Sequence, residues 1–164
     1  LKSDYYIVFG SSYIKGELVD FLIKNKAVNI HMGVSPYYRG TDCNFWALYD
    51  GNPSYVGATI HMLSKGLDSG DMLFHCLPKY IEGDTPFDFT MRSVVSAHFG
   101  LCQSIDDGSI FSMERIIQDE TKELRYTRNS DFTDDVADEF LNRKYLIDSQ
   151  YLVNYPELLN PIFY

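Results

Sequence analysis

The sequence predicts an α/β fold: a mostly parallel sheet, one hairpin, and helices towards the C-terminus. Three observations carry it. Residues 5–9 (Tyr-Tyr-Ile-Val-Phe) form a continuous apolar run of the kind a strand buried on both faces shows, and residues 27–31, apolar but for Asn29 and His31, read as the next strand. Between them Leu18, Phe21 and Leu22 recur at helical spacing across residues 17–26, which makes a βαβ unit with a right-handed crossover. Further on, strand-like runs at 55–63 and 72–78 flank Lys65-Gly-Leu-Asp-Ser-Gly-Asp71, a stretch too rich in glycine and aspartate for regular structure, so the pair reads as a hairpin around a loop.

Taken in order, Gly10-Ser11-Ser12 turns the chain out of the first strand, with Ser11 or Ser12 as the cap of the helix, and Lys24 and Lys26 suit its C-terminal end. Residues 44–49 predict a short helix packed by Phe45, Trp46 and Leu48, closed by the turn chemistry of Asp50-Gly-Asn-Pro53. Thr85 as N-cap and Pro86 at the first helical position open a long helix to about Ile105, stopping at Asp107-Gly108 and burying Phe89, Val94, Val95, Phe99 and Leu101. Ile116, Ile117, Leu124 and Tyr126 suggest a final hairpin within 115–127, and residues 131–135 cap a last helix through Arg143. The tail 149–164 is aromatic and interrupted by Pro156 and Pro161, which predicts little regular structure. Exposed aromatics would promote association, so the tail is expected to dock on the body or on a second subunit. The organisation is a core over 1–108 and a packed extension over 109–164.

Composition narrows the class. With 164 residues, 45% hydrophobic and 15% aromatic, the chain can bury a core and is far from a disordered composition. No apolar run reaches the ~18 residues of a membrane span. The net charge of −9 lies almost wholly after residue 72, where 16 acidic residues oppose 8 basic ones. That balance argues against broad nucleic-acid binding, which needs cationic surface. Three cysteines without CxxC spacing argue against a disulfide framework and for a reducing cytoplasm. The chain begins at Leu1 and enters a strand almost at once, which reads as a piece of something longer.

Asn29 and His31 stand two apart on a strand and so face the same side. Asn supplies an amide donor and His a proton carrier with an ordinary pKa near ~6.5. Alone, the pair fits a hydrogen-bonded structural role as well as a catalytic one. Asp68, between Gly66 and Gly70, alone fits an Asx turn; beside an imidazole, its carboxylate would orient the ring and hold it charged. His61 fits either core packing or a supporting donor. A metal site from His31, His61, Asp68 and His75 lacks tight ligand spacing, so no metal is expected. Cys43, Cys76, Cys102, His75 and His98 read as packing residues.

Asn29-Ile-His31, Ser35-Pro36, Tyr38-Arg-Gly40, Trp46-Ala-Leu48, Gly57-Ala-Thr-Ile-His61 and Gly66-Leu-Asp-Ser-Gly-Asp71 occur in this order. The ordered set closely resembles the folate-dependent formyltransferases, among them the methionyl-tRNA, glycinamide ribonucleotide and sugar-nucleotide enzymes. The resemblance runs from about Tyr5 to Asp84. It implies a Rossmann-like formyltransferase fold, with residues 1–108 as the C-terminal part of its catalytic core and the family's amino-terminal strands without counterpart here. It implies Asn29, His31 and Asp68 as the catalytic trio and 10-formyltetrahydrofolate as co-substrate. The folate would be held by Tyr13, Ile14 and Lys15 and by Leu63, Ser64, Lys65, Gly66 and Leu67, largely through backbone groups. An amine would attack the formyl carbon while Asn29 and a protonated His31 stabilise the oxyanion.

Asn44-Phe-Trp46 after Arg39-Gly40 is similar to the sugar-nucleotide branch, which implies a nucleotide-linked amino sugar as acceptor, with Arg39, Asn44, Trp46 and His61 towards the substrate. Arg39 either binds phosphate or ties down its own turn. The alternatives are the methionyl-tRNA or glycinamide ribonucleotide acceptor, hydrolysis of the formylfolate by water, and an inactive truncated domain. The unmatched strands leave a sheet edge for a longer chain, a homodimer or another partner to cover.

Overall fold

The computed structural model describes residues 2–143 and 154–164. Strand β1 (Ile7–Phe9) pairs in parallel with β2 (Val28–His31) across helix α1 (Glu17–Lys24), the expected βαβ unit. Next come β3 (Tyr38–Gly40), α2 (Cys43–Tyr49), β4 (Ala58–Met62) and β5 (Met72–Leu77). Then follow α3 (Pro86–Asp106), β6 (Arg125–Thr127), α4 (Asp134–Asn142) and β7 (Ile162–Phe163). The main sheet runs β1-β2-β4-β5-β7, and β3 with β6 forms a second, two-stranded sheet. The β1–β2, β3–β6 and β5–β7 pairings are parallel, while the β4–β5 hairpin pairs antiparallel with itself and with β2. This is the mostly parallel α/β arrangement expected, with the hairpin inserted beside β2.

Two apolar clusters hold the layers. One sandwiches Ile30, Ile60, Leu73, Phe74 and Cys76 of the sheet against Ala97 and Leu101 of α3. The other gathers Val34, Tyr38, Trp46, Leu48, Val56 and Phe89 around α2. The side of α3 that meets the sheet is built from small residues: Ser93, Ser96, Ala97, Gly100 and Ser104. A Cβ at Gly100 would stand 2.7 Å from Cys76 Sγ, so the helix lies too close to β5 for bulk there.

That close approach corrects one expectation. Phe89 and Leu101 are buried, but Val95 is 54% exposed and Phe99 41%, because the bulky side of α3 faces outward. Strand β1 departs similarly: Ile7 and Phe9 are 49% and 42% exposed, since β1 is an edge strand and Val8 alone is buried. Helix α1 is capped by Gly16 with no side-chain bond, not by Ser11 or Ser12. The final hairpin is absent. Ile116 makes an isolated bridge to Met72, Glu120–Lys122 is a short 3-10 turn, and β6 pairs instead with distant β3. The last helix starts from Thr133, whose hydroxyl accepts from Val136 N–H. Of the tail, residues 149–153 lie outside the described residues. Its end is regular after all: β7 joins β5, and Tyr164 stacks on Phe99 at 4.0 Å. Backbone bonds Tyr164 N–H to Leu77 O and Lys79 N–H to Tyr164 O fasten it to the body.

Candidate active site

Strand β2 runs into the site because its register places Asn29 opposite His61 of β4 and His31 opposite Thr59. The loop between β4 and β5 folds back so that Asp68 completes the group, with its own φ at 45°, a left-handed conformation that few residues besides glycine adopt readily. Asp68 Oδ2 lies 3.3 Å from His31 Nδ1, and Asp68 Oδ1 accepts from Asn29 Nδ2 at 3.1 Å. His61 Nδ1–H faces the Met62 carbonyl at 2.9 Å, which leaves Nε2 as the acceptor for Asn29 Nδ2 at 3.0 Å. Both amide hydrogens of Asn29 are therefore engaged, one by Asp68 and one by His61. The reverse amide orientation would set its oxygen against the carboxylate, so the network fixes which way the amide points.

The electrostatics follow from burial. Desolvation lowers the His31 pKa below its ordinary 6.5, and although Asp68 and the Tyr38 carbonyl pull it upward, burial prevails. Burial thus favours the neutral ring at rest, where the sequence suggested a charged one. For Asp68, burial alone would raise the pKa, but the His31 and His61 rings beside it and Arg39 outweigh burial, and the carboxyl titrates below the usual range. The site thus holds an ionised carboxylate, a neutral imidazole able to accept a proton, and an amide donor. These can stabilise negative charge growing on an oxygen and take a proton from an attacking nucleophile.

The trio opens on a cavity of about 250 Å³. One wall is the β1–α1 turn, including Phe9, Tyr13 and Ile14; the facing wall comes from Leu63, Ser64, Gly66 and Leu67 of the Asp68 loop. Tyr13 Oη–H donates to the Lys65 carbonyl at 2.6 Å and ties the two walls together. Lys15 and Lys65 are not among its lining residues: Lys15 Nζ sits 5.2 Å over the Tyr13 ring, and Lys65 Nζ pairs with Asp20 at 2.7 Å.

The residues expected to face the acceptor divide. His61 lines the cavity as part of the network. Arg39 does not: Nη1 pairs with Glu123 at 3.1 Å and Glu120 at 3.4 Å, tying down the turn after residue 118. Asn44 is a packing residue, donating to Ser93 Oγ and accepting from Gly57 N–H, both at 2.9 Å. Trp46, 3% exposed, is core, its ring covered by the Arg125 guanidinium at 4.6 Å. The cavity reaches Gly40 and Thr41 instead, the residues next to Arg39.

Two neighbours escaped the sequence reading. Cys43 Sγ lies 3.6 Å from His31 Nε2, its thiol pushed beyond the usual range by burial, so it is a neutral neighbour. Gly33 leaves the room this needs, since a Cβ there would meet Cys43 Cβ at 2.6 Å and His31 Nε2 at 2.7 Å. The other is Gln118, whose amide bonds the backbone of the Asp68 loop.

Among the described residues no group of His, Cys, Asp and Glu has the arrangement of a metal site. Nor, among the described residues, is any helix long and apolar enough to cross a membrane.

Known proteins resemble this chain in sequence and in fold. The methionyl-tRNA formyltransferase of Clostridium beijerinckii is 36% identical over 73 residues, covering 44% of this chain and 23% of that protein. The GDP-perosamine N-formyltransferase of Brucella melitensis is 32% identical over 76 residues, 46% of this chain and 29% of that protein. The chain thus spans under a third of the length of these two relatives. Among solved structures, the formyltransferase PseJ from Anoxybacillus kamchatkensis, in complex with UDP-4,6-dideoxy-4-formamido-L-AltNAc and tetrahydrofolate, superposes with a TM-score of 0.67. At 24% identity, covering 91% of this chain and 76% of that one, it shares the fold. The formyl transferase family model matches residues 2–105, more than half of the chain and all of the cavity walls, and the chain belongs to that family.

Proposed function

We propose that the protein transfers a formyl group from 10-formyltetrahydrofolate to the primary amine of a nucleotide-linked amino sugar. The observation that carries this reading is the cavity itself. Two walls with apolar side chains, pinned together by Tyr13 and Lys65, lead to an amide donor, a neutral imidazole and an ionised carboxylate at one end.

The walls suit a flat heterocycle. Val8, Phe9, Ile14, Ile30, Met32, Leu63 and Leu67 supply apolar surface, and residues 63–67 and 13–14 supply backbone groups at its edge. A volume of about 250 Å³ takes a bicyclic ring and leaves the rest of the folate towards solvent. When bound, the folate supplies the formyl carbon. Asn29 surrenders one of its two present bonds, to Asp68 or His61, and donates that hydrogen to the formyl oxygen as it gains charge. Neutral His31 takes the proton released by the attacking amine and returns it to the departing folate nitrogen. Asp68, ionised, stabilises the imidazolium formed between these two events.

The choice of acceptor draws on relatives. One is named for GDP-perosamine, and a structural neighbour was solved with a UDP-linked formamido sugar. Relatives named for methionyl-tRNA stand beside them, but the net charge of −9 disfavours a polyanionic acceptor. A reducing, cytoplasmic setting accords with three free thiols. Completion of the sheet at β1 by another strand or a second subunit belongs to the same reading, since its apolar side chains lie open at that edge.

The test is to incubate the protein with 10-formyltetrahydrofolate and, separately, nucleotide-linked amino sugars, glycinamide ribonucleotide, methionyl-tRNA or no amine, and follow each acceptor by mass spectrometry. A gain of CO on an amino sugar supports the reading. Formylation of another acceptor in preference corrects the substrate, and tetrahydrofolate release without any amine makes the protein a hydrolase.

A further inference from the structure

Gln118 lies outside the span of the family match, on the strand-like segment that bridges β5. Met72 N–H donates to Ile116 O at 2.8 Å and Ile116 N–H to Met72 O at 3.0 Å, which sets the register of that segment. Two residues on, the Gln118 side chain reaches under the Asp68 loop. Its two amide hydrogens are both used: Nε2 donates to the Asp68 carbonyl at 2.7 Å and to the Gly70 carbonyl at 2.9 Å. Only 9% of Gln118 is exposed. Gly70 in turn lies flat on the end of β4, where a Cβ would collide with the Met62 carbonyl oxygen.

The loop needs such a clamp. Asp68 holds a positive φ, a conformation that a residue with a Cβ keeps only where its surroundings support it. Gln118 bonds the peptide carbonyl of Asp68 itself and that of Gly70, two residues later. Two fixed carbonyls set the peptide planes after Asp68, and with them the direction of its side chain towards His31 and Asn29.

We propose that Gln118 is a positioning residue for Asp68: its carboxamide locks the loop so that the Asp68 carboxylate meets His31 Nδ1 and Asn29 Nδ2. It touches neither substrate nor reacting atoms. For catalysis this rests on the formyl-transfer reading; for geometry it does not.

The experiment compares the parent chain with Gln118→Met, which fills the same space without donors, and Gln118→Glu, which keeps size and polarity but cannot donate when ionised. Two readouts are taken: steady-state kinetics, and NMR titration of the His31 imidazole without substrates. Both variants are expected to fold, by circular dichroism. In both, kcat is expected to fall about tenfold or more while the amine KM moves less than about threefold, as for a displaced catalytic group. The His31 titration midpoint moves away from the parent's because Asp68 no longer faces it.

Parent kcat and parent titration in Gln118→Met would overturn the proposal. Failure of both variants to fold would overturn it too, since the amide would then be holding the fold rather than one side chain. If the parent transfers no formyl group to any amine yet the His31 titration moves in the variants, the positioning role stands and the formyl-transfer reading fails. If the parent is active and the titration does not move, the reverse holds.

Discussion

Asn29 has two amide hydrogens and two partners already, Asp68 Oδ1 at 3.1 Å and His61 Nε2 at 3.0 Å. One of these bonds yields to the formyl oxygen as charge develops, while the other keeps the amide aimed. Asn29→Ala should therefore cost on the order of 10²–10³ in kcat, with the folate KM nearly unchanged, measured by steady-state formyl transfer. The acid limb of activity has a sign that burial sets. His31 works neutral and its pKa is lowered from 6.5, so activity holds as pH falls to 6.5 and declines only below it. Asp68, lowered from 3.8, is ionised where that decline begins. A pH profile of kcat at saturating amine, where protonation of the free amine drops out, with an acid limb centred above 6.5 would contradict the assignment. Gly33→Ala should depress kcat as well, because the new methyl group occupies the space of His31 Nε2 and Cys43. At this scale the trio was legible because period-two alternation puts Asn29 and His31 on one face and because the motifs around them keep their order. Cys43 and Gln118 were not, since what each touches is decided by a turn or a strand bridge far from any local pattern. Arg39, Asn44 and Trp46 misled for the opposite reason: they sit beside cavity-lining residues in sequence, but their side chains point into packing and ion pairs.

Secondary-structure elements carry their own consequences. Helix α3 opens on a capping box, in which Thr85 Oγ1 accepts from Asp88 N–H and the Asp88 carboxylate accepts from Thr85 N–H. Thr85→Ala should lower stability by about 1 kcal/mol in denaturant titration. Strand β5 holds a histidine committed to one tautomer: His75 Nε2–H donates to the Ser35 carbonyl at 2.8 Å, while Nδ1 accepts from Leu159 N–H at 2.8 Å. Burial lowers its pKa from 6.5 to about 4. Above pH 6.5 both folded and unfolded states carry it neutral and it adds no pH dependence. Between 6.5 and 4 only the unfolded state takes up the proton, so stability falls by about 1.4 kcal/mol per pH unit. Replacing His75 with Gln should flatten that slope in chemical denaturation across the same window. The cap of α3 was readable as Thr-Pro, and the βαβ unit and hairpin as apolar periods. The inward side of α3 was not: close packing on β5 demands small residues, so the bulky positions that suggest burial turned outward. The segment after residue 108 misread as a hairpin because β6 and β7 take partners 87 residues upstream at Tyr38 and 86 upstream at Cys76, a pairing that local alternation does not encode.

Across the whole molecule, the site depends on parts brought from far apart. Strand β2 and the β4–β5 loop supply the trio, the β1–α1 turn supplies one cavity wall, and the segment after α3 clamps the loop from beneath. Apolar side chains stand outward on both β1 and α3, and the Phe9 ring meets His98 of α3 at 4.8 Å. A folate that binds between the two walls couples them, so ligand at about 100 times its Kd should add about 2.7 kcal/mol of stability and raise the Tm by roughly 5–10 °C in a thermal-shift assay. Leu67→Asp, on the cavity wall, should abolish most of that shift. The measurement that bears most directly on the central claim is the initial rate of tetrahydrofolate release from 10-formyltetrahydrofolate, with and without a nucleotide-linked amino sugar, in the parent and in Asp68→Asn. Release should require the amino sugar and fall by at least about two orders of magnitude in Asp68→Asn. Release independent of the amine, or undiminished by the substitution, would contradict that claim.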